Sequence, residues 1–247
     1  MEQALSPHRP DAGAATLSHG LRVLLLGRFE VGGSEAPLEL APGSQRLLAY
    51  VALAGGAVRR DFVAGVLWPD VSERGAHVSL RAALARLRAC TGLLVRADAH
   101  DVRLVAGVGV DLHEAQPLAR RLLAQEPVGA RETAAARPAL SLELLPGWYE
   151  DWVLVEAENW RQLRLHALEA ASRVLADVGR FGEAVAAGRA AVSADPLRES
   201  PRAALIEVHL REGNQSEALR EFALYREQLG EELGLEPTER LRALLPS

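Results

Sequence analysis

The stretch RGAHVSLRAALARLRAC, Arg74 to Cys90, gathers three arginines and a histidine on one side of an apolar helix. Residues on a helix turn by about 100° each, so Ala76, Leu80, Ala83, Leu84 and Leu87 fall in one arc that must pack inward. Arg74, His77, Arg81 and Arg88 share a narrow neighbouring arc, flanked by the small residues Val78, Ala82 and Ala85, and no carboxylate lies between Arg74 and Arg88. The chemistry such a face can do is polyanion recognition. A guanidinium is a planar, permanently charged fork that matches phosphate oxygens and the O6/N7 edge of guanine. Small neighbours let the helix backbone approach a base edge. Arg74, His77, Val78 and Arg81 are therefore expected to read bases. Arg88, nearer the far end, is expected to hold the phosphate backbone, together with Arg60 and Arg46 on the two preceding helices. Arg86 points away from this arc and reads as solvated.

Other chemistry is sparse. The 28 basic residues contain no lysine, which removes a Walker-type phosphate loop and a Schiff-base lysine. HExxH, GxSxG and paired-cysteine motifs are missing as well, so neither an enzyme nor a cofactor or metal site is expected. His100 between Asp98 and Asp101 reads as turn chemistry. Trp148, Tyr149 and Trp152 read as packing of an interdomain turn, and the single cysteine, Cys90, as a small core residue. One cysteine in 247 residues fits a reducing, cytoplasmic setting, with nucleoid association expected for a DNA-binding chain.

The elements that must position the arginine face follow from the residues before and after it. Residues 1–20 lack the apolar core of a signal peptide and read as a disordered tail. LRVLLLGRFEV and GGSEAPLEL read as two strands around Gly32-Gly33. SQRLLAYVALAGG reads as a helix capped by Ser44 and ended by Gly55-Gly56. RRDFVAGVLWPD is a shorter helix with Phe62, Val66 and Leu67 inward and Pro69 as its stop. LLVRA and VRLVA follow the arginine helix as a hairpin, a wing whose Arg96 and Arg103 are expected at the minor groove or its rim. Sheet, three helices and hairpin make a winged helix-turn-helix over residues 21–110.

Residues 111–247 read as all-helical, with a looser joint over Pro127–Pro138. GRFGEAVAAGRAAVSADP and GNQSEALREFALYREQLG align at an offset of 34, Gly179 with Gly213 and Ala184 with Ala218. That is the tetratricopeptide period. Charge divides the same way: residues 1–110 hold 12 Arg against 10 carboxylates, whereas residues 111–247 hold 16 against 23, and the chain nets −5. Glu217, Glu221 and Glu227 read as solvated members of the acidic half. The fold class is thus mainly α with a small antiparallel β part, an N-terminal winged helix-turn-helix followed by an all-α domain of tetratricopeptide-like helices.

LRVLLLGRFEV, LLAYVALAGGAVRRDFVAGVLWPD and SLRAALARLR resemble the OmpR-type DNA-binding domain of the Streptomyces antibiotic regulatory proteins. WRQLRLHALEAASRVLADVGRFGEAVAAGRAAVSADPLRE and the closing EELGLEPTERLRAL resemble their bacterial transcriptional activator domain. The resemblance runs from Leu21 to about Leu245. It implies a pathway-specific activator of an antibiotic gene cluster that binds direct repeats in double-stranded DNA as a head-to-tail homodimer. It also implies recruitment of RNA polymerase and its sigma factor. A protein-interaction adaptor, whose repeats hold a partner while the winged domain does not bind DNA, is the alternative that the acidic half allows and the arginine arc opposes.

Overall fold

The computed structural model describes residues 21–32, 38–91 and 94–245. The chain divides into two compact units, Met1–His113 and Glu114–Ser247. Both are mainly helical, with short strands confined to the first. The expected tail, residues 1–20, lies outside the described residues, as does Gly92, expected to close the arginine helix.

In the first unit β1 (Arg22–Leu24) pairs antiparallel with β2 (Glu30–Gly32), Val23 opposite Val31. The turn between them passes through Gly27, whose φ of +77° is readily adopted only by glycine. The hairpin therefore falls on LRVLLLGRFEV and Gly32; the second strand expected over GGSEAPLEL lies largely outside the described residues, and Leu38 beyond them donates its N–H to the Val31 carbonyl at 2.8 Å. Helix α1 (Pro42–Ala54) is followed by the two-residue strand β3 (Val58–Arg59), then α2 (Arg60–Leu67) and α3 (Glu73–Thr91). Strands β4 (Val95–Ala97) and β5 (Asp101–Leu104) form the expected hairpin, to which β3 adds a third strand through β5. The last strand, β6 (Gly109–Val110), runs parallel to β1, so the β part is not purely antiparallel.

Leu47, Leu48 and Val51 of α1, Val63 and Leu67 of α2, and Leu80, Leu84 and Leu87 of α3 form the buried centre with Leu94, Val95 and Val102. The inward arc of α3 is the one its periodicity predicts, Ala76 and Ala83 included. In α2 the sequence reading fails at Phe62, which is 61% exposed, because Val63, Ala64 and Leu67 fill the core instead. Ser44 does not cap α1. Ala41 occupies that position, Pro42 opens the helix, and the buried Ser44 hydroxyl donates to the Ala83 carbonyl of α3 at 3.3 Å. Cys90 is exposed rather than packed in the core.

Asp111, at the start of α4 (Asp111–Leu123), ties this unit together. Its carboxylate accepts from the backbone N–H of Leu25 at 2.8 Å, Leu26 at 3.0 Å and Leu112 at 2.8 Å. Burial outweighs these donors and raises its pKa above the ordinary aspartate value. The folded unit thus holds the proton more tightly than the unfolded chain. Stability from this group is full below the unfolded value and falls as pH rises through the folded one. Asp111→Ala should still destabilise the unit, by about 2–4 kcal/mol, since the Leu25 and Leu26 donors would be stranded in buried surroundings. Thermal unfolding of the variant checks this.

The second unit contains α5 (Ala130–Leu140), α6 (Asp151–Asp177), α7 (Phe181–Ala194), α8 (Glu199–Glu212), α9 (Gln215–Leu233) and the short α10 (Glu239–Arg242). The expected joint at Pro127–Pro138 is mostly helix, since α5 runs through it. The aromatic turn, with Trp148 edge-on to Trp152 at 6.2 Å, falls between α5 and α6 inside this unit rather than between units.

The 34-residue repeat is visible at atomic detail. α6 ends with Gly179 at φ +75°, whose N–H donates to Ala176, while the N–H of Arg180 reaches Leu175. α8 ends identically 34 residues on, with Gly213 at φ +89° donating to Leu210 and Asn214 to His209. Ala184 and Ala218 are fully buried where the paired helices approach. Glu221 is not solvated: Arg202 donates to it at 2.8 Å, donates to Gln228 at 3.1 Å and lies 5.8 Å over the Tyr225 ring. The closing signature does structural work. Glu199 accepts from the Thr238 backbone at 3.0 Å and from its hydroxyl, Thr238 caps α10, and Leu241 packs on Ile206, Ala218, Tyr225 and Leu229.

Candidate nucleic-acid interface

Because the apolar arc of α3 is consumed by α1 and α2, the rest of its circumference is left to solvent. Arg74, Arg81 and Arg88 stand exposed along it at seven-residue intervals, and none has a carboxylate partner among the described residues. Val78 between them is 51% exposed, and Ala85 is exposed as well. Arg74 and Arg88 are separated by about 21 Å of helix rise, close to six base-pair steps. A straight helix cannot follow a curving groove over that length, so the two ends of such a row would face different parts of a duplex laid against it.

His77 is half-buried, and its Nε2 lies 3.6 Å from Oδ1 of Asp61 on α2. Asp61 also lies 3.5 Å from Arg59. This carboxylate beside the basic row was missed from sequence, because only the packing of α2 on α3 brings it there. The spacing within α3 gives no sign of it. Asp61→Asn should raise affinity for duplex DNA about 3- to 5-fold at low salt, a gain that shrinks as salt screens the lost repulsion. Fluorescence anisotropy titrations at two salt concentrations read it directly.

The remaining residues divide into two groups. Arg60 is turned to structural use, with Nη1 donating to the Asp98 carbonyl at 2.7 Å and its backbone N–H to the His100 carbonyl at 2.8 Å. It clamps the hairpin tip to the start of α2. Arg46 is half-buried on α1 and is already engaged in an interaction rather than free. Arg96 and Arg103, by contrast, are exposed and directly opposite one another across β4 and β5. Like charges facing across a strand pair repel. An anion placed between them removes that cost.

At the hairpin tip the Asp98 carboxylate accepts from the N–H groups of His100 and Asp101, both at 2.9 Å, which lowers its pKa. The cluster is a turn device. Among the described residues no group of histidine, cysteine and carboxylates is arranged to hold a metal, and no helix is long and apolar enough to cross a membrane.

The chain is similar to proteins already known. Regulatory protein AfsR of Streptomyces griseus is 29% identical over 256 residues, a match covering 96% of this chain and 25% of that protein. Regulatory protein AfsR of Streptomyces coelicolor is 33% identical over 221 residues, covering 83% of this chain and 22% of that protein. The chain thus spans about a quarter of the length of these relatives. Among solved structures, Mycobacterium tuberculosis EmbR in complex with a low affinity phosphopeptide superposes with a TM-score of 0.67 at 22% identity, over 91% of this chain and 63% of that one. That likeness carries the fold. The bacterial transcriptional activator domain family matches residues 110–246, which takes in all the helices after α4 as well as α4 itself. The chain therefore belongs to the bacterial transcriptional activator domain family and is similar to the AfsR regulatory proteins of Streptomyces.

Proposed function

We propose that the chain is a sequence-specific DNA-binding activator whose first unit is a winged helix-turn-helix, α3 being the helix that enters the major groove. The observation that carries this reading is the row of exposed arginines on α3 that have no carboxylate partner among the described residues, beside a buried apolar arc on the same helix. Arg74, Val78 and Arg81, in the first half of α3, read base edges, and His77 joins them from beside Asp61. Arg88 holds phosphate farther along, and Arg96 and Arg103 grip the backbone or the minor-groove rim from the wing. Arg60 acts mainly by fixing the wing that carries those two, and Arg46 supports the unit beneath.

The acidic helical unit repels DNA and suits protein partners. It recruits RNA polymerase and its sigma factor, and two chains bind head-to-tail on direct repeats. The relatives' names give a regulatory role, and the resemblance of the sequence to the Streptomyces antibiotic regulatory proteins is what supports promoters of a secondary-metabolite cluster as the target. Selection of duplexes from a random pool by the full chain, followed by anisotropy titration, tests the reading. The three arginines placed on the phosphate backbone, Arg88, Arg96 and Arg103, give a slope of log K against log salt of about −2.7 per chain. An unenriched pool, with binding indifferent to salt, would overturn it.

A further inference from the structure

A cleft of about 300 Å³ opens in the helical unit, between the chain leading into α6 and the first half of that helix. Leu144, Leu154, Ala157 and Trp160 give it apolar walls, and Arg161 and Arg164 line it from α6. The Trp160 wall is fixed, since its indole N–H donates to the Leu142 carbonyl at 2.9 Å.

The two arginines differ sharply. Arg161 is saturated: it donates to both oxygens of Glu158 at 2.8 and 2.9 Å and to Asp195 at 3.0 Å. The Arg161 donors hold Glu158 at a pKa of about 2, so that pair stays ionised through the physiological range. Arg164 is only 3% exposed, and its Nε is enclosed with no hydrogen-bond partner. Its one carboxylate contact among the described residues is Glu143 at 4.0 Å, beyond hydrogen-bond reach, on a side chain that is 69% exposed. A buried charge is normally matched, as Arg202 is by Glu221 in this same unit. A buried guanidinium whose only carboxylate neighbour among the described residues stands beyond hydrogen-bond reach, in the wall of a cleft with an apolar floor, is what an anion-binding site looks like before its ligand arrives.

We infer that this cleft binds a small-molecule effector carrying a single carboxylate on an apolar body, the carboxylate pairing with Arg164 and the body lying against Leu144, Leu154 and Trp160. The volume is at the lower end of the range for small-molecule sites. Charge narrows the chemistry further. Glu143 and Glu158 also line the cleft, so a doubly charged phosphate meets two carboxylates, whereas a monocarboxylate loses less to them. The site is separate from the DNA-binding reading and stands or falls without it.

Calorimetric titration of the full chain with straight-chain monocarboxylates from butyrate to decanoate, with phenylacetate and 4-phenylbutyrate, and with inorganic phosphate tests the assignment. At least one carboxylate is expected to bind saturably, with its neutral amide at least tenfold weaker. Arg164→Met is expected to lose binding at least tenfold while melting no lower than the parent, because methionine keeps the apolar stem and removes a buried charge. Ala157→Phe, which fills the cleft and leaves Arg164 in place, should lose binding to a similar extent. Saturable binding by none of the carboxylates, binding by phosphate alone, or undiminished carboxylate binding by both variants would overturn the inference.

Discussion

Arg81→Ala is expected to lower affinity for a selected duplex by roughly 5- to 150-fold, the 1–3 kcal/mol carried by one good bidentate contact to a base. Affinity for unselected duplex should fall only by the share of one cation, about threefold at moderate salt. The asymmetry follows from the position of Arg81. It is exposed, lies two turns along α3 from Arg74, and among the described residues has no carboxylate partner to compete with a base. Arg81→Lys separates charge from geometry. Lysine restores the binding to unselected duplex but not the discrimination, since an ammonium cannot present two parallel donors. Arg88→Ala, measured in the same titrations, should weaken both duplexes alike.

Glu221→Ala should be the most destabilising single change in the helical unit. Arg202 and Glu221 expose only 10% and 11% of their side chains. Removing the carboxylate strands a guanidinium between α8 and α9, a loss of about 3–5 kcal/mol. Arg202→Met combined with Glu221→Leu should recover most of this, because an apolar pair leaves no buried charge without a partner. Denaturant unfolding of the two variants checks the order: the single variant least stable, the double variant near the parent. A double variant no better than the single one would show that the pair's value lies in packing around Tyr225 instead.

Legibility in the sequence tracked how local each feature is. The inward arc of α3 could be read because nineteen residues give one helical period several repeats. The 34-residue spacing could be read because two glycines end two helices by the same hydrogen bonds, at Gly179 and Gly213. Eight-residue α2 gave no such redundancy. Phe62 with Val66 and Val63 with Leu67 are equally good inward pairs, and only packing chooses the second. The two-residue strands β3 and β6 are too short for alternation, and the parallel β1–β6 pairing joins residues far apart in the chain. Glu221 and Arg164 look like ordinary surface charges on amphipathic helices. Their burial depends on helices contributed from elsewhere. The same is true of Asp61, whose effect on the basic row exists only once α2 lies on α3.

The candidate site shows this division most clearly. Exposed Arg74, Arg81 and Arg88 were evident from spacing alone. The tie from Arg60 to the hairpin tip and the opposition of Arg96 to Arg103 required strand register, which no single stretch of sequence encodes.

The central claim, that α3 reads guanine edges in the major groove, is tested most directly by replacing single guanines in a selected duplex with 7-deazaguanine, which deletes the N7 acceptor and leaves the minor groove and phosphates untouched. At one or two positions per half-site the parent chain should lose roughly tenfold or more in affinity, and Arg81→Ala should be indifferent to the replacement at the position Arg81 reads. Equal binding of the parent chain to the natural and 7-deazaguanine duplexes at every position would contradict major-groove reading by this helix.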